Sequence, residues 1–525
     1  MEKIVSIAEM MAIEHEADLK GLSYAQMMEN AGCAVAEQID IAYSQNTNRT
    51  VIALVGSGNN GGDALVAVAE LANRGWHISA YLVRPRVDGD PLVQRVKQSR
   101  GRVLSAEDDS DYSNLQHLLE THQVLIDGVL GTGTRLPLQE EVASCLEFVC
   151  DYVSSHRKTL HIVAVDCPSG IDCDSGQAPG EVIPAELTIT MAAIKRGLLA
   201  FPTADSVGAL KVVSIGDLHD LNTWESVRCW LCDSEYVKQT IPLRPRDAHK
   251  GTFGTALVIA GSMNYTGAAL LAGSAAYKVG AGLVQMAIPE VLHHCLAGQF
   301  PEAIWLLLPH SDGFISVEAA NITVSNMPKA TALLLGPGFG LQETTQEYIH
   351  RILTLRENPT KMPKMVVDAD GLKLLSKVPD WYHLLPGPAV LTPHPGEMAI
   401  LSGMSVDQIQ ADRISVAQKF AAFWGHVIVL KGAFTVIASP DGKAVIIPIA
   451  TSALAKAGTG DVLAGIIVGL LAQGVLPFDA AVSGAWIHAM AGLKAESRLG
   501  TASVLASDLL PALAEAFKEV YMPEV

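Results

Sequence analysis

Residues 455–465 read AKAGTGDVLAG. Small residues surround one acid, Asp461, and an apolar helical pattern follows at once in DVLAGIIVGLLAQG (461–474). Small side chains let backbone N–H groups come close to an anion, and a helix start adds the positive end of its dipole. The stretch reads as an anion cradle opening a helix. In open α/β sheets such loops lie beyond the carboxyl ends of strands. Asp461 falls in the first turn, where a carboxylate is favoured. It can also accept a proton from a hydroxyl attacking a phosphoryl group. Taken alone, the same residues read more readily as an N-cap acid after a flexible loop.

The loop does not stand alone. Upstream, LKGAFTVI (430–437) places Lys431 and Gly432 just past an apolar run that suits a strand, TPHPGE (392–397) places His394 and Glu397 past another, and GPGFG (336–340) follows a third. AHKGTFG (248–254) opens this half. The strand readings are TALVIAG (255–261), LVQMAIP (283–289), ALLLGPG (332–338), KMVVDAD (364–370), AVLTPHPGE (389–397), HVIVLKG (426–432) and TVIAS (435–439). Polar signals at several strand ends point to one site.

The first half shows the same alternation. TVIALVG (50–56), HISAYLV (77–83), QVLID (123–127), LHIVAVD (160–166) and ELTIT (186–190) read as buried strands, and DALVAVAELANRG (63–75) as a helix stopped by Gly75. Continuous apolar strands separated by helices imply a parallel sheet covered on both faces. GSGNNGGDALVA (56–67) joins a strand to a helix, but it is not the GxGxxG pattern. Its asparagines suit a phosphate-bearing ligand beside a hard cation with oxygen ligands. IDGVLGTGTRLPL (126–138) adds Asp127 and Arg135, AVDCPSGID (164–172) adds Asp166 and Ser169, and MAAIKRGLLAFP (191–202) adds Lys195. Together they describe a carboxylate-lined pocket.

The polar stretch from Gly216 to Arg246 breaks the rhythm, which puts a domain junction near residues 220–240. With 525 residues, 49% of them hydrophobic and 18% charged, the chain has material for two buried domains. The expected division is 1–220 and 226–520. A formal charge of −18 excludes nucleic acid and acidic membranes as natural partners. No apolar run reaches transmembrane length. The N-terminus carries acids where a signal peptide has a basic start. Eight scattered cysteines fit a reducing cytoplasm better than a disulfide framework. Cys229 and Cys232 form a lone CxxC, read as connector.

On the words HKGTFG, YTGAALLAGSAAYKVGAGLV, LLLGPGFG, VVDADGL, LTPHPGEM, VLKGAFTVI and GTGDVLAGIIVGLLAQG, in that order, the second half resembles the ADP/ATP-dependent NAD(P)H-hydrate dehydratases, which are ribokinase-like. On NNGGD, DGVLGTG and VDCPSGID, the first half resembles the NAD(P)H-hydrate epimerases, which are Rossmann-like. The resemblance implies two three-layer αβα domains. It implies ADP with Mg2+ in the second, and phosphorylation and dehydration of the NADH and NADPH hydrates (NADHX and NADPHX). There Asp461 is the base, and Ala256, Gly338, His394 and Asp461 touch the hydrate. Lys431, Gly432, Ala433, Phe434 and Thr435 contact the nucleotide, Gly458, Thr459 and Gly460 form the anion hole, and Glu397 organises Mg2+ or its water shell.

In the first domain the resemblance implies K+ held by Asn60, Asp127 and Ser169. Hydrate contacts come from Asn59, Asn60, Gly61, Gly62, Asp63, Gly131, Thr132, Gly133, Thr134, Arg135, Leu136, Pro137 and Asp166. Asp166 is the acid/base for inverting the hydrated carbon, with Lys195 as an electrostatic helper. A cytoplasmic homo-oligomer is expected. Two rivals stay open: a ribokinase-like kinase for another small-molecule hydroxyl, and a non-catalytic binding module as the first half.

Overall fold

Runs such as Thr50–Val55 and Leu283–Pro289 pack apolar side chains on both sides of an extended backbone, so they are stable only between two layers. The computed structural model describes residues 1–45, 48–156, 160–355 and 362–521. The chain divides into two compact units, Glu2–Val227 and Arg228–Val525. The stretch expected as a domain junction contains the short helix Asn222–Ser226, which belongs to the first unit. Its first N–H groups, at Asn222 and Thr223, are capped by the Glu16 carboxylate at 3.1 and 2.9 Å.

The first unit has strands β1 (Glu2–Val5), β2 (Thr50–Val55), β3 (His77–Leu82), β4 (Arg102–Ser105), β5 (Val124–Gly128), β6 (His161–Val165), β7 (Leu187–Met191), β8 (Ile194–Lys195) and β9 (Ala209–Val213). Seven form an all-parallel sheet in the order β4-β3-β2-β5-β6-β7-β9. β1 pairs in parallel with β8. Alternate residues of β2 enter different cores. Val51, Ala53 and Val55 pack with the helices Tyr24–Ala42 and Asn59–Asn73, while Ile52 and Leu54 pack with the helices Ser113–Thr121 and Glu140–Ser155. The unit is therefore a three-layer αβα sandwich.

The helix expected from Asp63 begins four residues earlier, at Asn59, with Gly58 as its N-cap. First-turn N–H groups have no partner inside the helix, so Asn and Gly are tolerated there despite poor propensity.

The second unit has β10 (Cys229–Leu231), β11 (Thr255–Ile259), β12 (Leu283–Pro289), β13 (Ile304–Leu308), a small hairpin β14 (His310–Ser311) and β15 (Phe314–Ile315), then β16 (Ala332–Leu335), β17 (Lys364–Val367), β18 (Val390–Leu391), β19 (Val427–Leu430), β20 (Val436–Ala438) and β21 (Ala444–Ile446). From one edge the order is β13-β12-β11-β16-β17-β18-β19-β20-β21-β10. Strands β13 to β19 are parallel; β20 runs antiparallel to both β19 and β21. The loop between β19 and β20 is too short for a parallel crossover, so the chain turns back as a hairpin.

The helix Thr459–Ala472 is buried on nearly every face and lies along the helix Thr266–Lys278. A Cβ on Gly465 would sit 2.2 Å from the Ala272 carbonyl oxygen, and one on Gly469 would sit 2.5 Å from the Val279 side chain. The two backbones can touch only because both positions are glycine.

Cys229 and Cys232 are buried, and every cysteine named in the structure is a free thiol. Among the described residues no helix is long and apolar enough to cross a membrane. No group of three His, Cys, Asp or Glu is placed to hold a metal among them either.

Candidate active sites

Both sheets reverse their strand order, and the polar residues gather beyond the carboxyl ends of their strands. In the first unit β2 has β3 on one side and β5 on the other, which opens a crevice beyond their carboxyl ends. Asn60 lies in the first turn of the helix after β2, Asp127 near the end of β5, and Ser169 in the loop after β6. Asp127 is fully buried. It accepts the Ser169 N–H at 2.7 Å, the Ser169 hydroxyl at 2.5 Å and the Val129 N–H at 3.3 Å. Burial still pushes its pKa up despite these bonds. Asn60 donates its amide to the Leu130 carbonyl at 2.8 Å, and its own buried Oδ1 has no hydrogen-bond partner. A Cβ on Gly131 would lie 3.1 Å from the Asn60 Cβ, so the second glycine loop closes over Asn60.

The other residues form a second cluster in the same unit. Lys195, almost completely buried, ion-pairs with Asp166 and donates to the Thr190 hydroxyl at 3.1 Å and the Met191 carbonyl at 3.0 Å. Asp166 holds a left-handed φ of 65° and also accepts from Thr190 Oγ1 at 3.0 Å and the Met191 N–H at 3.1 Å. Burial, then the negative charges of Asp166 and Glu14, drive the Asp63 carboxyl well above its ordinary range. Glu14 itself is raised, by burial first. Glu14 comes from the helix Ile7–Leu19, which showed no site signal in the sequence.

Asn59 is exposed at the crevice mouth, while Gly61 and Gly62 are buried in the helix start. Thr132, Gly133, Thr134, Arg135, Leu136 and Pro137 continue the Gly131 loop toward solvent, with Thr134 Oγ1 donating to the Gly131 carbonyl at 2.6 Å. The structure thus joins Asn60, Asp127, Ser169 and Gly131 in one group and Asp63, Asp166 and Lys195 in another.

In the second unit β11 has β12 on one side and β16 on the other. The carboxyl ends of β17, β18 and β19 follow side by side, carrying Asp368, Thr392 and Lys431. Lys431 Nζ lies 2.8 Å from Asp368 Oδ1 and 3.5 Å from Glu397 Oε2. Asp368 Oδ1 also accepts the Thr392 hydroxyl at 2.7 Å. A Cβ on Gly460 would stand 3.5 Å from the Lys431 ammonium, so that charge faces the glycine turn. Burial works against the Lys431 ammonium, but the Asp368 and Glu397 carboxylates overcome it and raise its pKa.

Gly458 caps the helix Thr459–Ala472 in a left-handed conformation, φ 90°, and Asp461 stands in the first turn as expected. Burial, followed by repulsion from Asp368, pushes the Asp461 pKa up to about 7 against the pull of Lys431. Thr459 is buried, and its hydroxyl bonds back to the Leu454 and Lys456 carbonyls, each at 2.9 Å. His488, unsuspected from sequence, meets the Thr459 carbonyl through Nε2 at 2.9 Å, and burial takes its pKa down to about 4.

Three further expected residues sit as follows. Ala256 is fully buried at the amino end of β11, in the core and away from the carboxyl-end site. Glu397, expected at Mg2+ or its water shell, is held by His394: Oε2 accepts the His394 N–H at 2.9 Å and Oε1 lies 3.3 Å from His394 Nε2. His394 has a structural task too, capping the helix Pro395–Ser402 by accepting from the Gly396 N–H at 3.0 Å, while its ring stays half exposed.

Lys431 turns away from the loop it begins. Gly432, Ala433, Phe434 and Thr435 form an open turn held by Arg413, whose guanidinium donates to the Leu430 carbonyl at 2.9 Å and to the Ala433 carbonyl at 2.5 Å. Burial lowers the Arg413 pKa to about 10. No sequence signal marked Arg413, which opens the helix Arg413–Trp424 just before β19 and lies 20 residues ahead of Ala433. Gly338 adopts φ 65°, where a Cβ would lie 2.9 Å from the Tyr265 carbonyl oxygen.

Residues 256–515 match the family described as NAD(P)H-hydrate dehydratase, and residues 24–197 match the YjeF-related protein N-terminus. The bifunctional NAD(P)H-hydrate repair enzyme Nnr of Moorella thermoacetica is 36% identical over 493 residues, covering 92% of this chain and 90% of its own. The protein of the same name from Escherichia coli is 34% identical over 512 residues, covering 97% and 92%. The ADP/ATP-dependent NAD(P)H-hydrate dehydratase of Bacillus subtilis, co-crystallised with ATP/Mg2+, is 32% identical; the match covers 55% of this chain and 98% of that one, with a TM-score of 0.48. With both family matches in chain order and full-length relatives above 30% identity, the chain belongs to the bifunctional NAD(P)H-hydrate repair enzymes.

Proposed function

We propose that this protein restores hydrated NADH and NADPH, interconverting the two hydrate epimers in the first unit and dehydrating the S form in the second. The observation that carries the dehydratase reading is Asp461: a carboxyl with a pKa near 7 in the first turn of a glycine-capped helix. Ionised, it takes the proton of the ring hydroxyl as that oxygen bonds to the terminal phosphorus of ADP and the bond from that phosphorus to AMP breaks, AMP leaving. The N–H groups of Gly458 to Gly460 receive the phosphoryl oxygens. The C–O bond then breaks with its electrons leaving on phosphate, and the adjacent ring carbon gives up a proton, whose C–H electrons become the restored ring double bond. Mg2+, when bound with the nucleotide, neutralises polyphosphate charge. ADP is the proposed donor, taken by the Lys431–Thr435 turn, with Gly338 and His394 beside the hydrate.

In the first unit, Asp166 paired to Lys195 is suited to be the carboxylate, and Asp63 to be the protonated acid beside it. Asn60, Asp127 and Ser169 fit K+: all are oxygen donors, one is anionic, and Asn60 Oδ1 is a buried acceptor without a partner. Bound K+ supplies a counter-charge for the buried carboxylate. Eight free thiols fit a cytoplasmic setting, and a homo-oligomer is the expected state.

The test incubates purified protein with a mixture of hydrate epimers and ADP or ATP. Recovery of reduced-cofactor absorbance beyond the share of the S epimer supports both activities. Recovery that stops at that share removes the epimerase, and a stable phosphorylated product with no recovery removes the dehydratase.

A further inference from the structure

Lys431 heads the KGAFT turn, but its ammonium points into the sheet crevice. Three strands bring this about. β17, β18 and β19 are adjacent and parallel, so the residues just past their carboxyl ends stand in a row. Asp368 is buried, and its Oδ1 accepts both the Thr392 hydroxyl at 2.7 Å and the Lys431 ammonium at 2.8 Å. Glu397, locked by His394, closes the other side at 3.5 Å. The remaining open direction is toward Gly460.

We propose that Asp368 and Lys431 are a positioning pair for the dehydratase: Asp368 holds the Lys431 ammonium against the Gly458–Asp461 turn, where it meets the transferred phosphoryl group and faces the Asp461 carboxylate. This rests on the dehydratase reading given above. The charged groups that act on Asp461 are Asp368 and Asp370 after β17, Glu397 after β18 and Lys431 after β19; His394 after β18 and His488 from the helix Pro477–Leu499 feel the Lys431 charge. Asp370 is itself paired to Lys373 at 3.1 Å. Lys431 is the one cation among the groups acting on Asp461, and Asp368 the strongest of the anions. Removing either one therefore moves the Asp461 titration in opposite directions. A residue that merely holds the fold has no such signature.

The experiment measures nucleotide-dependent dehydration of the S hydrate against pH, with the full chain and three variants. Wild type loses rate as pH falls through about 7, because Asp461 must be ionised. Lys431→Met shifts that limb to higher pH by about one unit and lowers the plateau about tenfold or more. Lys431→Arg keeps the charge and leaves the limb in place. Asp368→Asn shifts it to lower pH. Unmoved limbs, or limbs moved the same way in Lys431→Met and Asp368→Asn, overturn the pair. If Asp368→Asn does not fold, the two Lys431 variants decide: equal losses with unmoved limbs overturn the proposal, and a limb moved by Met but not by Arg supports it. Wild type inactive at every pH overturns the dehydratase reading itself, a result distinct from an active enzyme with unmoved limbs.

Discussion

Ser169 gives both its hydrogens to Asp127: the backbone N–H to Oδ2 at 2.7 Å and the hydroxyl to Oδ1 at 2.5 Å. The buried carboxylate is thus held by a loop from the neighbouring strand, and a cation added beside Asn60 Oδ1 completes its neutralisation. K+ should raise the melting temperature of the wild type at constant ionic strength, and Asp127→Ala should abolish that rise. Ser169→Ala should cost about 1.5–3 kcal/mol, the worth of a bond to a charged group. A K+ response that survives Asp127→Ala refutes the assignment.

Asp461→Asn keeps the shape of the first turn but cannot take a proton. Turnover should drop about 10²–10⁴-fold, the usual contribution of a general base. Nucleotide affinity, followed by calorimetry, should change less than about threefold, below ~0.7 kcal/mol. Equal loss of both would make Asp461 a helix cap and nothing more.

The same residue gives a stability effect with a definite sign. Its folded pKa of about 7 lies above the unfolded value, so the native state binds an extra proton between them. Its contribution to stability is full below about pH 4 and is lost as pH rises toward 7. Asp461→Asn removes that loss, so the second unit should melt higher than wild type at pH 8, by about 2–4 kcal/mol in unfolding free energy. The difference should vanish near pH 4, and calorimetry at both values checks it.

Arg413→Ala leaves the Leu430 and Ala433 carbonyls without their donor and frees the turn from Gly432 to Thr435. The KM for nucleotide should rise about tenfold, ~1.4 kcal/mol, with the KM for hydrate nearly constant. Steady-state kinetics varying each substrate separates the two.

Gly338→Ala forces a Cβ to within 2.9 Å of the Tyr265 carbonyl oxygen in a left-handed backbone. The strain should cost about 1–3 kcal/mol, seen in denaturant titration. Weaker hydrate binding with unchanged nucleotide binding would place the effect at the hydrate loop.

The central strands were legible because each is a continuous apolar run, as a strand buried on both faces must be. β1, β4, β9, β10, β13 and β21 were not: Arg102–Ser105 and Ala209–Val213 mix polar with apolar residues, as sheet-edge strands do, and the other four are runs of three to five residues. The two-residue β8 is too short to carry any period. At the sites, the glycine loops and lone acids announced themselves through local chemistry. Their partners did not. Lys431 meets Asp368, 63 residues away, only because the sheet order makes β17, β18 and β19 neighbours. Arg413 reaches its turn from a helix, and Glu14 reaches Asp63 from another, so neither shares a sequence window with the group it serves.

The contact of Gly465 and Gly469 with the helix Thr266–Lys278 leaves the Asp461 helix no room to slide along its axis. The depth at which Asp461 stands is therefore set by backbone packing in the core. Widening either notch with a methyl group would lift the rod off its rail and misalign the proton acceptor without touching a single ligand contact.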